Sequence, residues 1–425
     1  MNSYKCRICD NLLSLELQGS GAVVIEGAKW CGKTTTAEQM AKSAIYIDEP
    51  GKLESNVILS STKPERLLDG PAPRLIDEWQ LTPALWDVIR YRCDHSNFGG
   101  YILTGSSVPP DTDEIRHSGA GRFSWLRMRP MSLWESGESS GEASLAGLFK
   151  GADISGASAL KTDLEEVAFL LCRGGWPAAC DLTGDVALNR SFSYVDAVVK
   201  SDISRVDGVK RDEARARRLL RSYARLQGTQ ATSSVIKADL AENEPQTFSE
   251  ETVCSYVGAL RKIFVIEDMA AWCPNLRTKA VIRTSDTRYF TDPSIAAASL
   301  GVGPMDLMND IKTFGYLFET MAVRDLRVYA QSLNGLVSHY LDASGLECDA
   351  VVHLRNGSYG LVEIKLGGKE LIEKGARTLC KLAERIDTVR MKEPSFKMVL
   401  TAVGDFAYRR KEDGVIICPI SALRP

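Results

Sequence analysis

The chain has 425 residues, 44% hydrophobic and 25% charged, and its 52 basic and 55 acidic side chains leave a formal net charge of −3. That balance excludes a disordered, collagen-like or coiled-coil chain, and any nucleic-acid site must be a local patch. At about 150 residues per domain, the length fits two or three domains.

No apolar run approaches the roughly 18 residues of a membrane span. The opening stretch, MNSYKCRICDNLLSLELQGS, lacks the apolar core and cleavage site of a secretory signal. Eleven cysteines without paired spacing fit reduced thiols, so the cytoplasm is the expected compartment and no membrane partner is expected. Cys6-x-x-Cys9 has no second pair to complete a tetrahedral zinc site. His95, His117, His339 and His353 show no ligand spacing, and no serine or cysteine has a histidine arrangement that points to covalent catalysis.

In chain order, short apolar runs predict strands at Ala22–Glu26, Ala44–Asp48, Arg74–Ile76 and Tyr101–Thr104. Helical stretches at Thr34–Lys42 and Pro83–Arg92 separate them, the alternation of a parallel sheet covered on both faces. Residues 136–158 are rich in Gly and Ser and read as a linker. Leu164–Cys172 and Asn189–Lys200 read as amphipathic helices, and three further helices with a short strand fill Arg211–Ala271. The remainder returns to α/β, with strands at Asp349–Leu354, Tyr359–Ile364 and Phe396–Thr401 and a charged helix from Lys369.

Gly27-Ala28-Lys29-Trp30-Cys31-Gly32-Lys33-Thr34 matches G-x-x-x-x-G-K-[ST] and lies between the strand AVVIE and a helix, the context such a loop needs. Glycines let backbone N–H groups wrap a phosphate at a helix N-terminus. Lys33 would reach the β- and γ-phosphates, and the Thr34 hydroxyl, beside Thr35, would hold Mg²⁺. About forty residues later, Asp77 and Glu78 follow an apolar strand. Asp77 would bind Mg²⁺ through water, and Glu78 would polarise an attacking water. Thr104 or Ser106, at the end of the next strand, would sense the γ-phosphate or simply close a strand-end turn. ATP and Mg²⁺ are thus the expected ligands.

These residues, with LIDEWQ, ILTGSS, Gly121-Arg122 and Arg129-Pro130-Met131-Ser132-Leu133-Trp134-Glu135 in order, resemble the AAA-type P-loop ATPases of bacteria and archaea that carry a C-terminal domain of unknown function. Gly174-Gly175-Trp176-Pro177, Thr291-Asp292-Pro293 and Phe318-Glu319 look like markers of the appended domain, so the likeness spans nearly the whole chain. The resemblance implies that Arg122 is an arginine finger for its own or a neighbour's nucleotide. From the residues alone, a structural ion pair serves equally well. It also implies a restriction-endonuclease-like C-terminal core.

Residues 205–225 hold eight basic against three acidic side chains, and Arg211, Arg215, Arg218, Arg221 and Arg225 share one helix face. Ser233–Ala241, a turn at Pro245, Ser249–Arg261 and a strand Lys262–Asp268 read as a winged helix. Its would-be recognition helix, SEETVCSYVGALR, opens with two glutamates that would repel phosphates. The module therefore reads either as a DNA-binding element or as a packing element with a solvated Arg face.

In the last domain Asp349, then Glu363-Ile364-Lys365 across a hairpin, would set two hard oxygen ligands and a lysine on one sheet face around a second Mg²⁺. By the resemblance, Glu319 would complete that set.

The expected fold class is α/β. Residues 1–135 are expected to form an AAA-type P-loop NTPase parallel sheet, with a linker at 136–158 and a helical region at 159–210. A winged-helix-like module at 211–285 and a restriction-endonuclease-like α/β domain at 286–425 would follow. The expected function is Mg-ATP binding with hydrolysis coupled to the C-terminal region. The alternatives are an ATP-gated DNA nuclease in processing or defence, and a non-hydrolysing switch that docks a protein partner. DNA, a protein partner and a second copy of the chain are the candidate macromolecular partners.

Overall fold

The computed structural model describes residues 4–95, 98–107, 119–243, 248–273, 285–389 and 391–425. The expected turn at Pro245 and His117 lie outside the described residues. The chain is α/β and divides into two compact units. One comprises Met1–Pro130, Ser201–Lys210 and Gly258–Phe264, the other Met131–Lys200, Arg211–Val257 and Val265–Pro425.

The first unit is built on five parallel strands, β1 (Ala22–Glu26), β2 (Ser43–Tyr46), β3 (Arg74–Asp77), β4 (Tyr101–Gly105) and β5 (Phe123–Arg127), in the order β2-β3-β4-β1-β5. Parallel strands are covered on both faces, so their sequences run apolar without alternation, as AVVIE and YILTG do. Successive side chains nevertheless divide between two cores. Ala22, Val24, Ile76 and Leu103 pack with Trp79, Trp86 and Ile89 on one face, and Val23, Ile25, Leu75 and Ile102 pack with Leu13, Ala37 and Leu126 on the other. Helix Leu85–His95 supplies the first cover and helix Ile8–Gly19 part of the second.

The helix after the phosphate-binding motif is shorter than its sequence pattern predicts. It runs Lys33–Glu38 and closes in turns, with Ala41 N donating to Ala37 O. Three threonines in that turn are weak helix formers, and the chain must reach β2 four residues later.

The second unit joins a helical layer to a six-stranded mixed sheet. Residues 136–158, read from composition as a linker, are structured within it. Strand β6 (Ala143–Ser144) pairs parallel with β13 (Leu423–Arg424), and helix Leu145–Phe149 follows. Ala143, Leu145 and Leu148 are buried, Ser139 Oγ donates to Leu423 O at 2.7 Å, and Ser140 N donates to Ser421 O at 2.9 Å. The Ser and Gly residues that suggested flexibility serve as donors and as turn positions, with Gly137 and Gly141 at φ 97° and 69°.

The strands of the mixed sheet are β7 (Gly335–Leu341), β8 (Glu347–Leu354), β9 (Tyr359–Lys365), β10 (Phe396–Thr401), β11 (Tyr408–Arg409) and β12 (Ile416–Pro419), in the order β11-β12-β10-β9-β8-β7. β7, β8 and β9 pair antiparallel, whereas β9, β10 and β12 pair parallel, so the step from β9 to β10 needs a crossover. Helix Lys369–Arg385 provides it and buries Ala376, Leu379 and Leu382 against Val351, Leu361 and Val399.

The three helices of the expected winged module occupy Glu213–Arg225, Ser233–Asn243 and Glu250–Lys262. The expected strand at Lys262–Asp268 is not a regular strand. Isolated bridges Ile266 to Phe290 and Met269 to Thr287 stand in its place. Two arginines of that face, Arg211 and Arg225, are committed within their own unit, as is the neighbouring Arg217. The Arg211 side chain is buried and donates to Ser255, Arg217 pairs with Asp196 at 2.7 Å, and Arg225 pairs with Asp239 at 2.6 Å.

Candidate functional site

The motif Gly27–Thr34 leaves the carboxyl end of β1 and enters helix Lys33–Glu38. A β-carbon on Gly27, at φ 155°, would stand 2.0 Å from the Met128 carbonyl oxygen, so no other residue fits there. Gly32 takes φ 102° as the residue that caps the helix, and Trp30, at φ 65°, bends the loop while staying half exposed. Inside the loop the Lys33 ammonium is buried and donates to the carbonyls of Gly27 and Ala28, each at 2.9 Å. Cys31 is buried and points its Sγ at Met128 O. Thr35 faces outward, where its carbonyl accepts from Gln39.

Strands β3 and β4 end level with each other, Asp77 opposite Thr104, and this register gathers the polar groups. One oxygen of the buried Asp77 carboxylate accepts from the Thr34 hydroxyl at 2.8 Å and from the fully buried Thr104 hydroxyl. Thr104 therefore fixes Asp77 from within the sheet. The next residue, Glu78, adopts the left-handed region at φ 54°, a conformation that costs a non-glycine residue of order 1 kcal/mol and that collects at functional sites. Its Oε2 accepts from Gln80 Nε2 and from the Ser106 hydroxyl. Burial pushes the Glu78 carboxyl above its ordinary range, against the Gln80 hydrogen bond and the nearby Lys33 charge.

These residues fit a magnesium nucleotide. Hard oxygen donors of Thr34 and Asp77 already share a hydrogen bond beside a buried ammonium, and the loop's glycine is forced by a close backbone approach.

Two residues of this site carry no motif. Arg7, buried, donates to Cys31 O at 2.7 Å and to Arg129 O at 2.8 Å, tying the loop to the segment that follows β5. Asp202, in the π-helical turn Val198–Asp202, is buried and pairs with Lys29 of the loop at 2.6 Å. Arginine and aspartate are common, and their partners lie 24 and 173 residues away in sequence, so local spacing holds no trace of either contact.

Arg122 is not brought to the loop. Its carbonyl accepts from Gly21 N and Ala22 N, which puts it at the amino end of β1, and its side chain pairs with Asp94 at 2.6 Å. A five-residue strand spans about 15 Å, so Arg122 stands a strand's length from the phosphate loop of its own chain. A role on its own nucleotide is corrected by that separation.

In the second unit Asp349, Glu363 and Lys365 do meet. Lys365 Nζ lies 2.8 Å from Asp349 Oδ2 and 2.8 Å from Glu363 Oε2, and Ile364 N donates to Asp349 Oδ2 at 2.7 Å. Glu319 accepts from Tyr289 OH and lies close enough for burial and Asp349 together to push its carboxyl upward. Burial and Asp349 likewise push Glu363 upward, against Lys365. Burial opposes the Lys365 charge, but Asp349 and Glu363 outweigh it and hold the ammonium protonated. Among the described residues no three His, Cys, Asp or Glu side chains converge as a cation site. In this arrangement the Lys365 ammonium bridges the two carboxylates that were expected to hold a second Mg²⁺. All eleven cysteines, Cys6 and Cys9 included, stand outside any disulfide.

Comparison with known proteins gives three family matches along the chain. Residues 19–136 match the family model of an AAA domain, residues 164–306 a domain of unknown function (DUF8612), and residues 314–423 another domain of unknown function (DUF4143). No curated protein matches the chain. Among solved structures, the Walker-type ATPase of Pyrococcus abyssi is similar at 15% identity over 68% of this chain and 94% of that one, with a TM-score of 0.40. A point mutant of RuvB from Thermotoga maritima is similar at 17% over 60% and 88%, with a TM-score of 0.25. The ORC1 protein of Aeropyrum pernix, solved in complex with DNA, is similar at 13% over 70% and 93%, with a TM-score of 0.22. The match to the AAA domain supports nucleotide binding by the first sheet. Among the described residues no helix is long and apolar enough to cross a membrane.

Proposed function

We propose that this protein binds Mg-ATP on the loop Gly27–Thr34 and hydrolyses it. The observation that carries the reading is the convergence of Thr34 and Thr104 on one oxygen of the Asp77 carboxylate, beside the buried Lys33 and next to Glu78. Lys33 would exchange its two loop carbonyls for phosphate oxygens, and the backbone of Ala28 to Gly32 would hold the remaining charge. Thr34 and Asp77 would hold Mg²⁺, which when bound neutralises charge on the β- and γ-phosphates. Thr104 keeps Asp77 oriented, and Glu78 takes a proton from the attacking water.

Phosphate release from ATP, measured on the full chain, tests this. Lys33→Ala is expected to abolish ATP binding. Glu78→Gln is expected to keep binding while lowering turnover by about 100-fold or more. ATP binding without turnover in the unaltered protein would favour a nucleotide-dependent switch that docks a partner. Absence of ATP binding in the presence of Mg²⁺ overturns the reading.

The arginine-rich helix and the Lys365 cluster favour packing over DNA chemistry. Arg211, Arg217 and Arg225 are engaged within their unit, and Lys365 neutralises the carboxylates a nuclease would use. The corresponding expectation is no Mg²⁺-dependent DNA cleavage. Cleavage lost with Asp349→Ala would instead establish the nuclease reading.

A further inference from the structure

Gln80 stands beside Glu78, and the proposed mechanism leaves it unused. It sits in the 3₁₀ turn Trp79–Leu81 that follows the left-handed Glu78. Its Nε2 donates to Glu78, while its Oε1 is buried and has no hydrogen-bond partner among the described residues. A buried carbonyl without a donor is destabilising, and such a group calls for a partner such as an ordered water or a functional role. The oxygen lies over the end of β4, where a β-carbon on Gly105 would come within 2.6 Å of it. Glu78 is asymmetric in the same way. Among the described residues both of its side-chain hydrogen bonds fall on Oε2, and none falls on Oε1.

We propose that Gln80 Oε1 and Glu78 Oε1 together hold the water that attacks the γ-phosphate, each accepting one of its two hydrogens. The inference rests on the hydrolytic reading above and deepens it. A single carboxylate fixes one O–H direction and leaves the water free to rotate about it. A second acceptor fixes the plane of the water and aims its lone pair at phosphorus. In the step itself the water oxygen forms a bond to the γ-phosphorus, and the bond from that phosphorus to the bridging oxygen breaks. ADP leaves with the electron pair, one proton passes to Glu78, and the other stays on the new phosphate, hydrogen-bonded to Gln80. The Ser106 and Gln80 donors on Glu78 Oε2 keep the carboxylate from swinging away.

The variant Gln80→Met keeps the length of the side chain and removes both its donor and its acceptor. In phosphate-release assays it is expected to lower kcat by at least about tenfold with KM for ATP unchanged within about twofold. Binding gives the readout that a merely structural role would not move. Affinity for ADP and for a non-hydrolysable ATP analogue is expected to hold. Affinity for ADP with aluminium fluoride, which traps the attacking water in place, is expected to fall by a similar factor to kcat. Gly105→Ala, which crowds Oε1 from the strand side, is expected to act in the same direction. Equal loss of affinity for all three ligands, or an unchanged kcat, overturns the assignment of Gln80. An unaltered protein that binds ATP without turnover overturns the hydrolytic reading itself, so the two failures are distinguishable.

Discussion

Glu78 shows how a single backbone angle organises the nucleotide site. Left-handed φ at a carboxylate turns its side chain back across the ends of β3 and β4, where Ser106 and Gln80 can hold it. The acidic pair and the glycine-lysine loop were readable in the sequence because each needs a fixed residue type at a fixed spacing. Arg7 and Asp202 were not, because their value lies in contacts to the loop from distant parts of the chain. Asp202 faces a lysine that would otherwise add positive charge to the phosphate cradle. Asp202→Asn is therefore expected to tighten ATP by a few fold at low salt and to lose that gain as ionic strength rises, measured by fluorescent-nucleotide titration. Gly27→Ala is expected to abolish binding, since its β-carbon would collide with the Met128 carbonyl.

At the scale of elements, hydrophobic period and strand chemistry located β1 and β10 with the boundaries observed, and the start of helix Lys369–Arg385. Composition misled where small polar residues do structural work, as in the segment that pairs β6 with β13. Leu148 is fully buried there, so Leu148→Ala is expected to cost about 2–5 kcal/mol in thermal or urea unfolding, whereas a true linker would tolerate it. The carboxylate–lysine cluster makes a pH prediction. Glu319 and Glu363 carry carboxyl pKa values raised in the folded chain, chiefly by burial. Folding thus favours their protonated forms, and the stability they contribute is complete below the ordinary carboxylate range and is lost as pH rises through the raised values. Melting temperature is expected to decline from about pH 5 to about pH 9, and Glu363→Gln is expected to flatten that decline. Lys365→Met would leave the buried Glu363 and the partly buried Asp349 facing each other and is expected to lower the melting temperature.

For the whole molecule, the position of Arg122 bears on assembly. Its distance from its own phosphate loop means that any contact with a nucleotide must be to that of a neighbouring copy. Arg122→Ala is expected to leave ATP affinity unchanged. If turnover falls and is restored by mixing with Lys33→Ala subunits, whose Arg122 is intact, the arginine acts in trans. Unchanged turnover assigns it to the Asp94 ion pair alone.

The make-up of the nucleotide-binding unit from three stretches of chain has a consequence for how it could be isolated or inherited. Residues 201–210 and 258–264 return to it after long excursions, bringing Asp202 to the loop and Phe264 beneath the Arg127 guanidinium. A fragment cut after Pro130 would lack both, and it is expected to melt at a lower temperature than the unit with its returning segments. A library of swaps is expected to recover more function when all three stretches travel together.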